Sequence, residues 1–206
     1  MRKILSIVLS ALLLLTACTS PAPKPSGDAG ATMARRQADD PFAIGRVDAP
    51  SVLVEWADFR CGYCGKFARD VKPQLMSKYV DTGKLRIEWR HYPILGEASV
   101  TAAKASWAAA QQGRFWQFYE VAYAADGKPK DERFTEQNLP ELAAKAGIPD
   151  LDRFNRDRAG SAAEQAIAMD AQLGQQLGAT ATPAFLLNGR PLLGAQPLEA
   201  FEAGLK

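Results

Sequence analysis

Val52 to Phe67 reads VLVEWADFRCGYCGKF. The run from Val52 to Trp56 is apolar apart from Glu55, the pattern of a central strand covered on both faces and carrying one buried acid. A polar turn follows, and Cys61-Gly-Tyr-Cys64 then opens a segment with helical spacing. Two thiols in C-x-x-C at a helix start face each other across one turn. The first is aimed at the unpaired N–H groups of that turn, whose partial positive charge favours thiolate over thiol. Such a pair is suited to thiol–disulfide exchange: Cys61 is the nucleophile, and Cys64, one turn deeper, resolves the mixed disulfide.

Far downstream stands Ala181-Thr182-Pro183, followed by an apolar strand. Together with the strand–CGYC–helix block it resembles the thioredoxin superfamily, and within it the disulfide-bond-forming, DsbA-type branch. The resemblance covers roughly Pro41 to the C-terminus. It implies an α/β, thioredoxin-like fold with a central mixed sheet and an inserted helical subdomain. It also implies that Glu55, six residues before Cys61, is the family's buried acid, which accepts and delivers protons for the deeper cysteine. Desolvation would raise its pKa and keep it useful near neutral pH. A cis Thr182–Pro183 bond packed against CGYC is implied as well, exposing the Thr182 backbone to pair with an extended substrate as one more strand. Gly62 and Tyr63 lie between the thiols and tune them. Many strongly oxidising relatives carry a histidine just before the second cysteine, and Tyr63 cannot supply that positive charge. No cofactor is implied beyond the Cys61–Cys64 disulfide itself.

Other readings of the same residues stay open at this level. C-x-x-C also serves zinc sites, but a tetrahedral site needs four ligands, and the chain offers only His91 besides its cysteines. The pair could be an inert disulfide, Glu55 could reach solvent at a strand end, and Pro183 could be a trans proline at a strand start. His91, the only histidine, reads as structural, and the aromatic residues between 115 and 123 read as core.

Residues 1–17 form a targeting sequence. Arg2 and Lys3 give a basic start, and Ile4 to Ala17 is an apolar stretch too short to span a bilayer comfortably. It ends in Leu15-Thr16-Ala17-Cys18, which is similar to a bacterial lipobox, in which the cysteine is lipidated after cleavage. An ordinary secretory signal with an incidental Cys18 is the alternative. Lipidation would hold the domain outside the cytoplasmic membrane, where disulfides persist. It would also explain the odd count of three cysteines, leaving Cys61 and Cys64 as one pair. Residues 18–40, rich in Pro, Ala, Gly, Ser and charge, read as a disordered tether. Residues 41–206 then suit one domain. The formal charge of +2 comes with no basic stripe that would point to nucleic acid.

Within the domain, Gly65 to Val80 has helical spacing with a kink expected at Pro73. Leu85 to Tyr92 reads as a second strand, and about 97–178 as the helical insertion. Asn138-x-x-Glu141 and Ser161-x-x-Glu164 have capping-box spacing. Pro183 to Asn188 and Arg190 to Leu193 read as strands joined by a tight Asn188-Gly189 turn, and a short helix closes the chain. The expectation is a membrane-anchored, extracytoplasmic dithiol oxidase, acting on thiols of unfolded or secreted proteins and recharged by a membrane redox partner. Its rivals are a reductase or isomerase of the same fold, and a chaperone-like binding lipoprotein with a vestigial redox pair.

Overall fold

The computed structural model describes residues 33–124 and 130–205. The signal sequence and Cys18 lie outside the described residues. Every residue of β2 (Ser51–Ala57) is buried, because the strand is flanked on both edges and covered on both faces. β3 (Leu85–His91) pairs with it in parallel, from Ser51↔Leu85 to Ala57↔His91. β4 (Ala184–Leu187) pairs antiparallel on its other edge, with Glu55 opposite Phe185. β1 (Ala43–Ile44) and β5 (Arg190–Leu193) close the two edges, giving the order β1-β3-β2-β4-β5. Asn188 and Gly189 both have positive φ, 52° and 81°, as the expected tight hairpin turn requires.

Alternation along β2 divides its side chains between two layers. Val52, Val54 and Trp56 face a layer with Tyr92, Ala184 and Leu186. Leu53 faces the opposite layer, with Phe67, Leu75, Ile87, Phe185 and Phe201, and Glu55 shares its side of the strand. That second layer is roofed by α1, which begins as Gly62–Lys66 and runs on to Val80. The kink expected at Pro73 takes the form of two wide turns, Phe67–Val71 and Met76–Val80, on either side of a Lys72–Leu75 α-helical segment. The Lys72 N–H reaches back to the Phe67 carbonyl, five residues away. A wide turn lets the helix pass a residue with no N–H whose ring would crowd the preceding carbonyls.

The helical insertion comprises α2 (Glu97–Ala110), α3 (Phe115–Tyr123), α4 (Lys130–Arg133), α5 (Leu139–Lys145), α6 (Leu151–Ala159) and α7 (Ser161–Gln176). Alanines 102, 105, 108 and 109 of α2 are all fully buried, so neighbouring helices approach it closely. Phe59, Trp89, Phe115, Phe118, Tyr119 and Tyr123 form an aromatic cluster where the insertion meets the sheet. Neither expected capping box forms. Asn138 makes no side-chain cap and donates instead to the Glu132 carbonyl, while α7 is capped by Gly160, with Ser161 already inside the helix. α8 (Leu198–Glu202) ends the chain.

The assignment of residues 18–40 to a disordered tether needs correction for Met33 to Asp40. On one face of β3 stand Arg86, Glu88 and Arg90, all buried. Arg90 donates to the Met33 carbonyl (3.0 Å), Glu88 accepts from the Arg35 and Arg36 N–H groups (2.7 and 2.9 Å), and Arg86 donates to the Gln37 carbonyl (2.5 Å). Arg35 also pairs with Asp170 of α7. Composition hid this strap because it contributes backbone groups and charge, whereas the apolar pattern of β3 is interrupted only by residues that hold it. Burial alone would raise the Glu88 pKa, but Arg86, the Arg35 and Arg36 N–H groups and Arg90 outweigh it and hold the carboxyl at about 2. Its ordinary value is 4.5, so this stability is fully present above that pH and is lost as pH falls through about 2. Glu88→Ala leaves buried Arg86 without its counter-charge and Arg90 with only Asp170 at 3.9 Å, and should cost about 3–5 kcal/mol in urea unfolding at neutral pH. A cost below about 1 kcal/mol would show that the strap contributes nothing to the fold.

Candidate active site

Cys61 is the N-cap of α1, with extended backbone angles (φ −68°, ψ 123°), and its sulfur accepts from the Cys64 N–H at 3.5 Å. Asp58 fixes the turn before it. The Asp58 carbonyl accepts the Cys61 N–H (3.0 Å) and the Tyr123 hydroxyl (3.0 Å). The buried Asp58 carboxylate takes the N–H groups of Arg60 (2.8 Å), Ile94 (2.9 Å) and Leu95 (3.1 Å). Thr182–Pro183 is cis, and the Cys61 sulfur lies 3.2 Å from the Thr182 carbonyl oxygen. The two stretches furthest apart in the resemblance are thus in contact. The Pro183 carbonyl accepts from Gly194, which ties the cis loop to the end of β5.

Cys61 and Cys64 are both free and both buried. Their environments are opposite. The Cys64 thiol donating to the Cys61 sulfur is the main cause that lowers the Cys61 pKa. Burial opposes it, and the Thr182 side chain and the N–H groups of Cys64 and Tyr63 add to the lowering, leaving Cys61 at about 5. Burial pushes the Cys64 thiol well above its ordinary value, and the neighbouring Cys61 sulfur pushes it further. One sulfur is therefore a thiolate at neutral pH and the other a thiol. This asymmetry suits attack, or departure, at Cys61 and proton-coupled closure at Cys64.

Glu55 is fully buried, and neither carboxylate oxygen has a hydrogen-bond partner among the described residues. Burial raises its pKa to about 8; the Lys72 charge works against the rise and the Cys61 charge adds to it. Lys72 was not singled out from the sequence. Its ammonium lies over the rings of Trp116 (4.7 Å) and Tyr119 (4.3 Å) and pairs with Glu120 at 2.8 Å. The signal was available: Cys64, Ala68, Val71, Lys72 and Leu75 fall on one helical face, so a lysine at 72 points inward. Asp58 and Tyr123 were also missed, because what they hold is backbone brought together only by folding.

Gly62 and Tyr63, between the thiols, are exposed, Tyr63 at 68%. His91 takes no part in the site. It is buried among Phe42, Trp89 and Phe115, and its ring nitrogens meet Asp170 (3.2 Å) and Ser106 (2.9 Å). Among the described residues no group of His, Cys, Asp and Glu is placed to hold a metal ion.

A family model described as thioredoxin matches residues 37–206. The chain belongs to the thioredoxin family. It is 30% identical over 151 residues to the probable disulfide bond formation protein D of Bacillus anthracis, a match that spans 71% of this chain and 69% of that protein. The crystal structure of Wolbachia pipientis α-DsbA1 superposes with a TM-score of 0.67 at 26% identity, covering 79% of this chain and 87% of that one. The chain is also 32% identical over 160 residues to the Na⁺/H⁺ antiporter NhaA 3 of Salinispora tropica, but spans only 23% of that protein, so nothing of ion transport carries over. With its thiols placed as described, this thioredoxin-family protein is a DsbA-like protein-disulfide oxidoreductase.

Proposed function

We propose that this protein is a dithiol oxidase working outside the cytoplasmic membrane, anchored through lipid on Cys18, and that it forms disulfides in secreted proteins. The observation that carries the direction is the Cys61 pKa of about 5. A substrate thiolate attacks the Cys61 sulfur of the oxidised pair, and the Cys61–Cys64 bond breaks. Cys64 leaves with the electron pair and takes a proton from Glu55. The Thr182–Pro183 backbone aligns the substrate, whose second thiolate attacks the first substrate sulfur. A substrate disulfide forms, and Cys61 leaves as a thiolate that is already stable. Two electrons pass from substrate to protein.

A thiolate that leaves easily makes an oxidising couple. Against a thioredoxin with a Cys pKa of about 7 and a potential of about −270 mV, a Cys61 pKa of about 5 adds roughly 2.3 kcal/mol to the reduced form at pH 7. That amounts to ~50 mV, so equilibration with glutathione should return about −220 mV. Tyr63→His, which adds a cation beside the thiolate, should raise it further. A wild-type value at or below about −270 mV would replace the oxidase reading with a reductase. Inability to exchange with any dithiol would leave a binding protein. Among the described residues no helix is long and apolar enough to cross a membrane, and the anchor proposed is the lipid on Cys18. Cys18→Ala should move the protein from the detergent phase to the aqueous phase with exchange unchanged, and an unmodified wild-type Cys18 in mass spectrometry would refute the anchor.

A further inference from the structure

Asp58 follows β2 directly, is buried, and touches both cysteines. Its carbonyl accepts the Cys61 N–H (3.0 Å), and its own N–H points to the Cys64 sulfur as a hydrogen-bond donor. That N–H belongs to the Ala57–Asp58 peptide unit, whose Ala57 carbonyl is held by the Tyr92 N–H at 3.0 Å. The carboxylate divides its bonds. Oδ1 accepts from the Arg60 N–H (2.8 Å), which closes the turn towards Cys61. Oδ2 accepts from Ile94 (2.9 Å) and Leu95 (3.1 Å), in the segment that joins β3 to α2. The peptide unit that faces Cys64 is thus fixed by β3 on one side and by its own side chain on the other.

Cys64 is fully buried. Burial above all, then the Cys61 sulfur and the Glu55 charge, hold it as a thiol, and the Asp58 N–H works the other way. Either direction of exchange nevertheless passes through a Cys64 thiolate. When the Cys61–Cys64 bond breaks, Cys64 leaves with the electron pair before it takes a proton from Glu55. When the bond forms, Cys64 gives its proton to Glu55 and attacks the Cys61 sulfur. A buried charge without a donor is costly, and a hydrogen bond to an ion is roughly twice as strong as one between neutral groups.

We propose that Asp58 is the positioning residue of the resolving step: its N–H holds the Cys64 sulfur while that sulfur is a thiolate, and its carboxylate keeps the N–H aimed. This rests on Cys64 being the resolving sulfur, which the trapping of mixed disulfides in Cys64→Ser tests separately. It holds for either direction of electron flow, because the same Cys61–Cys64 bond breaks or forms. Glu55 exchanges the proton, and the Asp58 N–H stabilises the charge while the proton is away. The sign of the effect distinguishes this role from that of a nearby charge. Removing a carboxylate as a charge would make a second anion easier to form, whereas losing the aimed N–H makes it harder. Asp58→Asn keeps the shape but has one acceptor oxygen, so an NH2 group faces an N–H on one side of the former carboxylate. Asp58→Ala removes both sides.

The test reads the two steps apart. Each reduced protein is mixed with excess glutathione disulfide and quenched with acid at intervals, and the mixed disulfide between Cys61 and glutathione is followed by mass spectrometry. In the first step the Cys61 thiolate attacks and one glutathione leaves; in the second Cys64 attacks the Cys61 sulfur and expels the other. Asp58→Asn should slow the second step about ten-fold, and Asp58→Ala further, so that the mixed disulfide accumulates. The pH at which the second step reaches half its full rate should move upward. The first step should stay near the wild-type rate, because the Asp58 carbonyl that takes the Cys61 N–H is present in every variant. A second step that is unchanged or faster, or two steps slowed by the same factor, would overturn the inference. A second measurement leaves Asp58 in place and does not depend on either variant folding. In a Cys61→Ser protein labelled with ¹⁵N, the Asp58 amide shift should move with pH as Cys64 ionises, and should stay fixed when Cys64→Ala is added. An Asp58 amide that does not respond to Cys64 would reject the proposal by itself.

Discussion

Cys61→Ser abolishes exchange, whereas Cys64→Ser retains the first step and accumulates mixed disulfides with substrate on a non-reducing gel. This is the largest effect expected of any substitution, since it removes the reacting atom in one case and only its resolution in the other. The two sulfurs should also separate in alkylation by iodoacetamide. Near pH 6 about nine-tenths of Cys61 is thiolate, against roughly one part in a thousand of a cysteine at its ordinary value. A low-pKa thiolate is a weaker nucleophile, and over four pKa units this removes roughly two powers of ten. Cys61 should therefore react ~10–20 times faster than an ordinary thiol at that pH, with a profile that rises through about 5. Cys64 should stay unlabelled in the native protein, because burial keeps it protonated. In a Cys64→Ala protein the Cys61 midpoint should move upward, since the main hydrogen bond lowering it comes from the Cys64 thiol and alanine has no donor to replace it. Equal labelling of the two cysteines, or the absence of any trapped adduct, would reject the assignment of roles.

The second large effect is a gain in stability on removing a site residue. Burial raises the Glu55 pKa from 4.5 to about 8, so between those values the folded protein holds a proton that the unfolded chain has released. The group imposes no cost below pH 4.5, an increasing cost as pH rises through 8, and its full cost beyond. At about 1.4 kcal/mol per pKa unit the full cost is on the order of 5 kcal/mol. Glu55→Leu, of similar volume, should therefore be more stable than wild type in urea unfolding at pH 9, and its advantage there should exceed its advantage at pH 4 by several kcal/mol. The same variant should resolve mixed disulfides slowly, because Cys64 loses its proton acceptor. Glu55→Gln separates charge from packing, as it keeps the shape but cannot carry a proton. A stability difference that does not change with pH would show that Glu55 is not the group strained by burial. Retention of destabilising charge at a reacting centre is the usual exchange of stability for activity.

The strand–CGYC–helix block, the buried acid in the central strand and the Asn188-Gly189 turn were legible along the chain because each is a local pattern. Alternation, helix-start chemistry and positive φ depend on neighbours within a few residues. The pairing of Cys61 with Thr182 was reached only by resemblance, since 121 residues separate them and no periodicity spans that distance. The strap was misread for a related reason. Met33 to Asp40 has no apolar face of its own, and its order comes from Arg86, Glu88 and Arg90, whose charges look solvent-exposed until β3 is covered. Asp58, Lys72 and Tyr123 belong to the same class. The sequence by itself pointed to the reacting atoms, through C-x-x-C at a helix start, and reached the fold through the resemblance carried by the strand–CGYC–helix block and Ala181-Thr182-Pro183. Only tertiary structure decided how deeply Cys64 is buried, what opposes the charge on Glu55 and what holds Met33 to Asp40 in place. Those depend on desolvation and on backbone N–H and C=O groups, which every residue carries and which only folding aims.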